Sequence, residues 1–280
     1  MTDRPDDLRR IESHFAFGDN WADYAQIIDP EAIDAAKKDL LKLIPLEQIA
    51  DSSLLDIGCG SGLHALAATL LGASNVLAVD LDPTSVATTE VVLTRYAAHA
   101  RWRTEEISVF DLSPETHGVF DIVYSWGVLH HTGAMWDALR KSASMVAPNG
   151  ILAFALYRST LLDPFWRLEK RYYSKAGSSV QSAVRGCYVA AYAMSFTIAR
   201  RKSFAAHVAN YKTNRGMDFY HDAHDWLGGY PYESALAPDV ERHMHDLGFQ
   251  AARVFARPRE VGIFGSGCDE YVYTRSAGRT

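Results

Sequence analysis

Short apolar runs alternate with amphipathic stretches along most of the chain, regularly enough to predict elements. Pro30 to Leu43 reads as a helix, with Glu31 and Asp34 early and Lys37, Lys38 and Lys42 late, the order that suits a helix dipole. Ser53-Leu-Leu-Asp-Ile57 is an apolar run ending in glycines, which predicts a strand. A helix from His64 to Leu71 follows, capped by Gly72. Then come a strand at Asn75–Val79, a helix at Pro83–Ala98, a third strand at Arg101–Val109 and a fourth at Phe120–Tyr124. A helix from Ala134 to Val146 stops at Pro148-Asn149-Gly150, and Ile151–Tyr157 is a fifth strand. Strands alternating with helices of this length read as βαβ units on a parallel sheet, and nearly continuous apolar strands mean that both faces are covered.

After Tyr157 the alternation stops. Leu161 to Tyr211 reads as mostly helical, and Arg215 to Pro238, rich in aromatics, glycine and charge, as an ordered loop region. Alternation returns with a helix at Asp239–Leu247, capped by Gly248, and strands at Ala252–Ala256 and Glu270–Thr274. The expected layout is an N-terminal arm and helix (1–49), a Rossmann-like core (50–157), a helical lid inserted between strands five and six (158–238), and a C-terminal completion of the sheet (239–280).

Composition narrows the picture. With 280 residues, 48% of them apolar and 22% charged, the chain can bury a sizeable core, which excludes disorder, collagen and small disulfide scaffolds. A net charge of -6, from 28 basic and 34 acidic residues, argues against a protein whose main task is gripping nucleic acid phosphates. Cys59, Cys187 and Cys268 form no zinc or redox pattern and suit a reducing compartment. The charged start MTDRPDDLRRIE has no apolar h-region, and the longest apolar stretch, Cys187 to Ala199, falls short of the ~20 residues a bilayer span needs. These features lead us to expect a soluble, cytoplasmic protein without stable membrane insertion.

The chemistry concentrates in Leu54-Leu-Asp-Ile-Gly-Cys-Gly-Ser-Gly62. It follows a strand and opens a helix, so Gly58, Gly60 and Gly62 can make a tight turn that lets a ligand approach bare backbone, while the helix start attracts an anion. A dinucleotide fingerprint needs glycine where Leu63 stands. Asp80, at the end of the second strand, is suited to accept both hydroxyls of a ribose.

Taken together, the segments resemble class I S-adenosylmethionine (SAM)-dependent methyltransferases of the bacterial small-molecule type. DIGCGSG is similar to their first motif, VLAVDLDP to their second, Phe120-Asp-Ile-Val-Tyr-Ser-Trp-Gly-Val-Leu-His-His131 to their fourth and Pro148-Asn-Gly-Ile-Leu152 to their fifth-strand entry, over about residues 50–157. The resemblance implies a seven-stranded sheet with strand seven antiparallel; AARVFAR fits strand six and DEYVYTR strand seven. It implies that Gly58, Gly60 and Gly62 pass under the methionine part of SAM, with Cys59 as a small residue in the turn, and that Asp56 helps orient the amino group. Asp80 would hold the ribose and Leu81 pack on adenine. The slot for the adenine amino group, usually acidic, holds Ser108, followed by Val109 and, further on, Asp111. Ser125 would lie beside the sulfonium.

The expected reaction is methyl transfer to an oxygen or nitrogen of a small molecule. Aminocarboxypropyl transfer or cyclisation releasing methylthioadenosine, and a SAM-binding module without catalysis, remain alternatives. His131, His130, His221 and His224 are the candidate bases, in that order, because an ordinary imidazole titrates near neutrality. Trp126, Asp222, Asp225, Tyr230 and Trp21 are candidate substrate contacts. His221, Asp222, His224 and Asp225 fall within five residues, a density costly to pack unless they bind a ligand or pair with a base such as Arg215. The spacing HDxHD lacks the helical register of strong metal motifs, and no metal is expected. Phe15, Phe17, Trp21 and Tyr24 form an aromatic N-terminal segment that either covers the cofactor or anchors the arm. Phe165 to Tyr173 reads as an amphipathic helix with snorkelling bases. The helix at Val184–Ala199, apolar on several faces, reads as a buried lid or a homodimer contact.

Overall fold

The computed structural model describes residues 17–26, 28–200, 203–211 and 219–276. Phe15 and Arg215 lie outside these, and the side chains of Phe17 and Tyr24 are likewise not described. Seven strands form one sheet: β1 (Ser53–Ile57), β2 (Asn75–Asp80), β3 (Trp102–Glu106), β4 (Phe120–Trp126), β5 (Val146–Tyr157), β6 (Phe249–Phe255) and β7 (Cys268–Arg275). Their order is β3-β2-β1-β4-β5-β7-β6. The first five run parallel, and β7 is antiparallel to both neighbours, as the resemblance implied. The chain reverses direction across the sheet between β1 and β4, and in such sheets ligands bind beyond the carboxyl ends of the strands at that point.

Alternation along the strands divides the core. Leu54, Val76, Ala78, Ile122, Tyr124 and Ala153 face the helices Pro30–Leu43, Leu63–Leu70 and Pro83–Ala97. Leu55, Leu77, Val79, Val123, Leu152 and Phe154 face Met135–Ser144 and Ala237–Asp246. Both faces of the central strands β1, β2, β4 and β5 are covered, so these read as nearly continuous apolar runs, whereas the edge strands β3 and β6 are more polar or exposed. Strand β5 begins at Val146 and carries Pro148-Asn149-Gly150 within it, earlier than the sequence suggests.

The excursion between β5 and β6 contains the helices Asp163–Lys175, Ser178–Arg200, Phe204–Ala209 and Phe219–Gly228. Its two ends meet: the Ala235 amide donates to Tyr157 O at 2.9 Å, and the Ser159 amide donates to Ala235 O at 2.9 Å. Asp163 ties the ends together, accepting from Ser159, Thr160, Tyr232 and Ser234. At the same root, buried Arg158 pairs with Asp269 of β7 at 2.7 Å. Two expectations change here. The His221–Asp225 cluster stands on a helix and not in a loop, because Phe219, Ala223 and Leu227 recur at helical spacing and are buried together. The Val184–Ala199 stretch, part of a 23-residue helix, is not sealed as a buried lid: Phe196 is buried and Val184 and Tyr188 pack partly inward, while Met194 is 63% and Ile198 72% exposed, an exposure that does not contradict a homodimer contact. Among the described residues no helix is long and apolar enough to cross a membrane.

Candidate active site

The turn after β1 is built by three left-handed glycines. Gly58, Gly60 and Gly62 have φ of 77°, 53° and 75°, a region that side chains adopt only with strain. The Gly58 and Cys59 amides donate to Val79 O at 2.8 and 3.0 Å, which folds the turn over the end of β2. A Cβ on Gly62 would stand 2.9 Å from Thr89 Cα, so this glycine also lets two helices approach.

Two carboxylates flank the turn. Asp56 is 3% exposed, one of its oxygens has no hydrogen-bond partner, and burial, helped by the charge of Asp80, pushes its carboxyl up to about 7. The Ala65 amide, in the first turn of the next helix, opposes that shift. Asp80 accepts from the Gly60 amide and the Asp82 amide, both at 3.0 Å. Burial raises its carboxyl to about 6 against those two bonds. Each carboxylate oxygen keeps further acceptor capacity beyond one amide. The Cys59 thiol is pushed well up by burial and then by the charges of Asp80 and Asp56, so it is no nucleophile at neutral pH.

Around this turn the structure gathers most of the expected cofactor residues. Leu81 continues from Asp80, and the Ile107 amide donates to Asp80 O at 2.9 Å, bringing Ser108 and buried Val109 to the same edge. The Ser125 hydroxyl is fully buried and donates to Ile57 O at 3.0 Å, tying β4 to the turn. Trp21 also belongs here: its indole lies on Gly60, 3.2 Å from where a Cβ would stand. The helix carrying it, Phe17–Gln26, is held by the Gly18 amide donating to Asp82 at 2.9 Å. Sequence reasoning missed Asp82, although Asp82-Pro83 before a helical run is an N-cap signal.

A second group assembles at the ends of β4 and β5. His130 is fully buried and its ring packs on Tyr157 at 3.8 Å. Its Nδ1 accepts from the Tyr157 amide at 3.2 Å, so the ring proton sits on Nε2, and burial holds the imidazole neutral far below its usual range. His131 has the opposite tautomer: Nδ1–H donates to Pro231 O at 2.7 Å, which puts the ring's lone pair on Nε2. Gly229 packs against the His131 ring so closely that a Cβ would meet Cε1 at 2.5 Å. Tyr230, buried, stands in this same turn.

The remaining candidates spread out. His224 Nδ1 bonds the Tyr173 hydroxyl at 2.8 Å, and Asp222 accepts from Tyr211. Asp225 is buried and acts on Lys170, whereas His221 is only partly buried. The described residues contain no cluster of metal ligands. Trp126 donates to Glu270 at 3.1 Å on the face of the Pro30–Leu43 helix. Lys170 was also missed: it is fully buried, on the stripe Asp163, Trp166, Lys170, Tyr173 that faces inward. A lysine on an otherwise buried stripe was the available signal.

Comparison with known proteins agrees with this geometry. Residues 55–152 match the family described as a methyltransferase domain. The chain is 32% identical over 126 residues to a tRNA U34 carboxymethyltransferase of Methylococcus capsulatus, covering 43% of this chain and 38% of that one. It is 33% identical over 114 residues to a ubiquinone biosynthesis O-methyltransferase of Xanthomonas euvesicatoria, covering 41% and 45%. The chain thus spans less than half the length of these relatives. Among solved structures, magnesium protoporphyrin IX methyltransferase from Synechocystis with bound SAM shares the fold at a TM-score of 0.57 and 13% identity, covering 99% of both chains. The [4+2]-cyclase SpnF shares it at 0.52 and 13%, covering 88% of this chain and 81% of that one.

Proposed function

We propose that this chain, built around a SAM-dependent methyltransferase domain at residues 55–152, transfers a methyl group to an oxygen or nitrogen of a small molecule. The observation that carries the reading is the glycine turn with a carboxylate on either side at the switch point of the sheet. The residues fit the cofactor. The unpartnered buried oxygen of Asp56 suits an ammonium group, the three left-handed glycines hold a bare-backbone turn packed against Val128, Trp21 and Thr89, and Asp80 has acceptor capacity for ribose hydroxyls. Leu81, Ser108 and Val109 would border the base, and Ser125 would keep the turn in register with β4. When bound, SAM supplies an activated methyl group, so the protein's part is mainly to orient and to exclude water.

The chain's own residues would do that work at the ends of β4 and β5. Trp21 would close over the turn as a lid on the cofactor side. His131, its tautomer set by Pro231, would accept a proton from an oxygen acceptor through Nε2. His130 has no second lone pair and would serve as a donor. The cluster His221, Asp222, His224 and Asp225, with Tyr230, would shape the acceptor side, and Trp126 its boundary toward β7.

Calorimetry with SAM and S-adenosylhomocysteine tests the reading. Asp80→Ala removes two charge-assisted acceptors and is expected to weaken binding about 100-fold or more, since each such bond contributes ~1.5–3 kcal/mol. Unchanged affinity would refute the cofactor assignment. Release of methylthioadenosine in turnover would refute methyl transfer.

A further inference from the structure

The insertion buries a lysine whose ammonium nothing hydrogen-bonds among the described residues: burial pushes it down to about 7, and the Glu169 and Asp225 carboxylates oppose that through their charge. Lys170 is fully buried, and its Nζ has no hydrogen-bond partner and makes no ion pair among the described residues. Four rings surround it instead, with Trp226 at 3.6 Å, Tyr232 at 5.4 Å, Tyr157 at 5.9 Å and Trp166 at 6.0 Å from the ammonium to each ring centre. Aromatic faces attract a cation, but they do not replace the acceptors that an ammonium loses on leaving water.

Two more donors share the same situation. Among the described residues, Trp226 Nε1 and His130 Nε2 are buried without a hydrogen-bond partner. The rings connect them: Trp226 meets Tyr157 at 5.1 Å, and Tyr157 meets His130 at 3.8 Å. Because His130 Nδ1 accepts from the Tyr157 amide, Nε2 carries the proton. The group therefore offers three donor atoms without a hydrogen-bonded acceptor among the described residues, although the carboxylates of Glu169 and Asp225 act on Lys170 and the Ala155 carbonyl on His130; buried polar groups in native proteins are rarely left so. Such a set complements an anion with two oxygens. Glu169 and Asp225 act on Lys170 through their charge, but neither hydrogen-bonds its Nζ, and both Glu169 oxygens are themselves unpartnered. The group sits where β4 and β5 end, the same edge of the sheet as Asp56 and Asp80.

We propose that Lys170, with the N–H groups of Trp226 and His130, is the seat for a carboxylate carried by the methyl acceptor, whose apolar body would lie among the surrounding rings. This inference rests on the methyl-transfer reading for the identity of that carboxylate as part of the acceptor.

The test uses 4-hydroxybenzoate, its amide 4-hydroxybenzamide and inorganic phosphate as probes, titrated into the full chain with S-adenosylhomocysteine present and followed by indole fluorescence. The wild type is expected to bind the carboxylate about tenfold or more tightly than the amide, the scale of one charge-assisted contact. Lys170→Met keeps the apolar stem and should erase that preference. Trp226→Phe should reduce it by a few-fold, and it carries the test if Lys170→Met does not fold. No binding of the carboxylate, no preference in the wild type, a preference intact in both variants, or phosphate binding with the same dependence on Lys170 would each overturn the proposal. S-adenosylhomocysteine affinity, measured separately, should be equal in wild type and Lys170→Met. Failure of that binding in the wild type would fault the cofactor reading and not this one.

Discussion

Asp56 destabilises the ligand-free protein in order to hold a charge beside the glycine turn, and Asp56→Asn should expose the effect. The folded carboxyl titrates near 7 against an ordinary 3.8, mainly because burial disfavours the anion. A raised acid pKa means that the folded state keeps its proton after the unfolded chain has released it. Stability therefore falls as pH rises from about 4 to about 7, and above that the penalty is complete. About three units at ~1.4 kcal/mol each give an upper figure of about 4 kcal/mol, which relaxation and water entry would lower to about 2–4 kcal/mol. Asn has nearly the same shape and no charge. Urea denaturation followed by far-UV circular dichroism should find Asp56→Asn more stable than wild type by about 2–4 kcal/mol at pH 8, and by under about 1 kcal/mol at pH 4. Asp80, raised to about 6, adds a slope of the same sign to both proteins, so the difference between them is the diagnostic quantity. The same variant should bind S-adenosylhomocysteine more weakly, since the amide presents no charge to an ammonium. A variant equally stable at pH 8, or a difference that does not change with pH, would refute the reasoning.

Other expectations follow from the same geometry. Gly62→Ala combines left-handed strain with a Cβ 2.9 Å from Thr89 Cα and should cost about 3 kcal/mol in denaturant unfolding. Gly248→Ala has a comparable φ of 82° but open space around it, and should cost about 1 kcal/mol; equal effects would mean that the close approach at Gly62 is unimportant. Nitrogen-detected NMR of the imidazoles at pH 7 should find Nε2–H in His130 and Nδ1–H in His131, with His130 still neutral at pH 5.5; a protonated His130 there would contradict its burial.

Much of the molecule was legible along the chain. Every strand of the sheet was found: β1, β2, β4 and β5 because runs covered on both faces are nearly continuous apolar stretches, and the more exposed edge strands β3 and β6 from their place between amphipathic helices and turn signals. The glycine turn was legible for a stronger reason: its φ values, its amide donors and the helix start all follow from a few consecutive residues. The Phe219–Gly228 helix was not legible as such, since its polar positions outweigh the Phe219, Ala223, Leu227 stripe that packing selects.

Tertiary structure decided the rest. The order His130, Tyr157, Lys170, Trp226 spreads nearly a hundred residues along the chain, and no local pattern marks them as neighbours. They meet because β4 and β5 end side by side and because Asp163 brings the two ends of the insertion together. Lysine at position 170 reads in sequence as one more base on a basic helix. Whether it snorkels to water or is sealed among four rings depends on which face of that helix the later segment covers. Backbone geometry at a turn is a local property, whereas desolvation of a charge is set by everything packed around it.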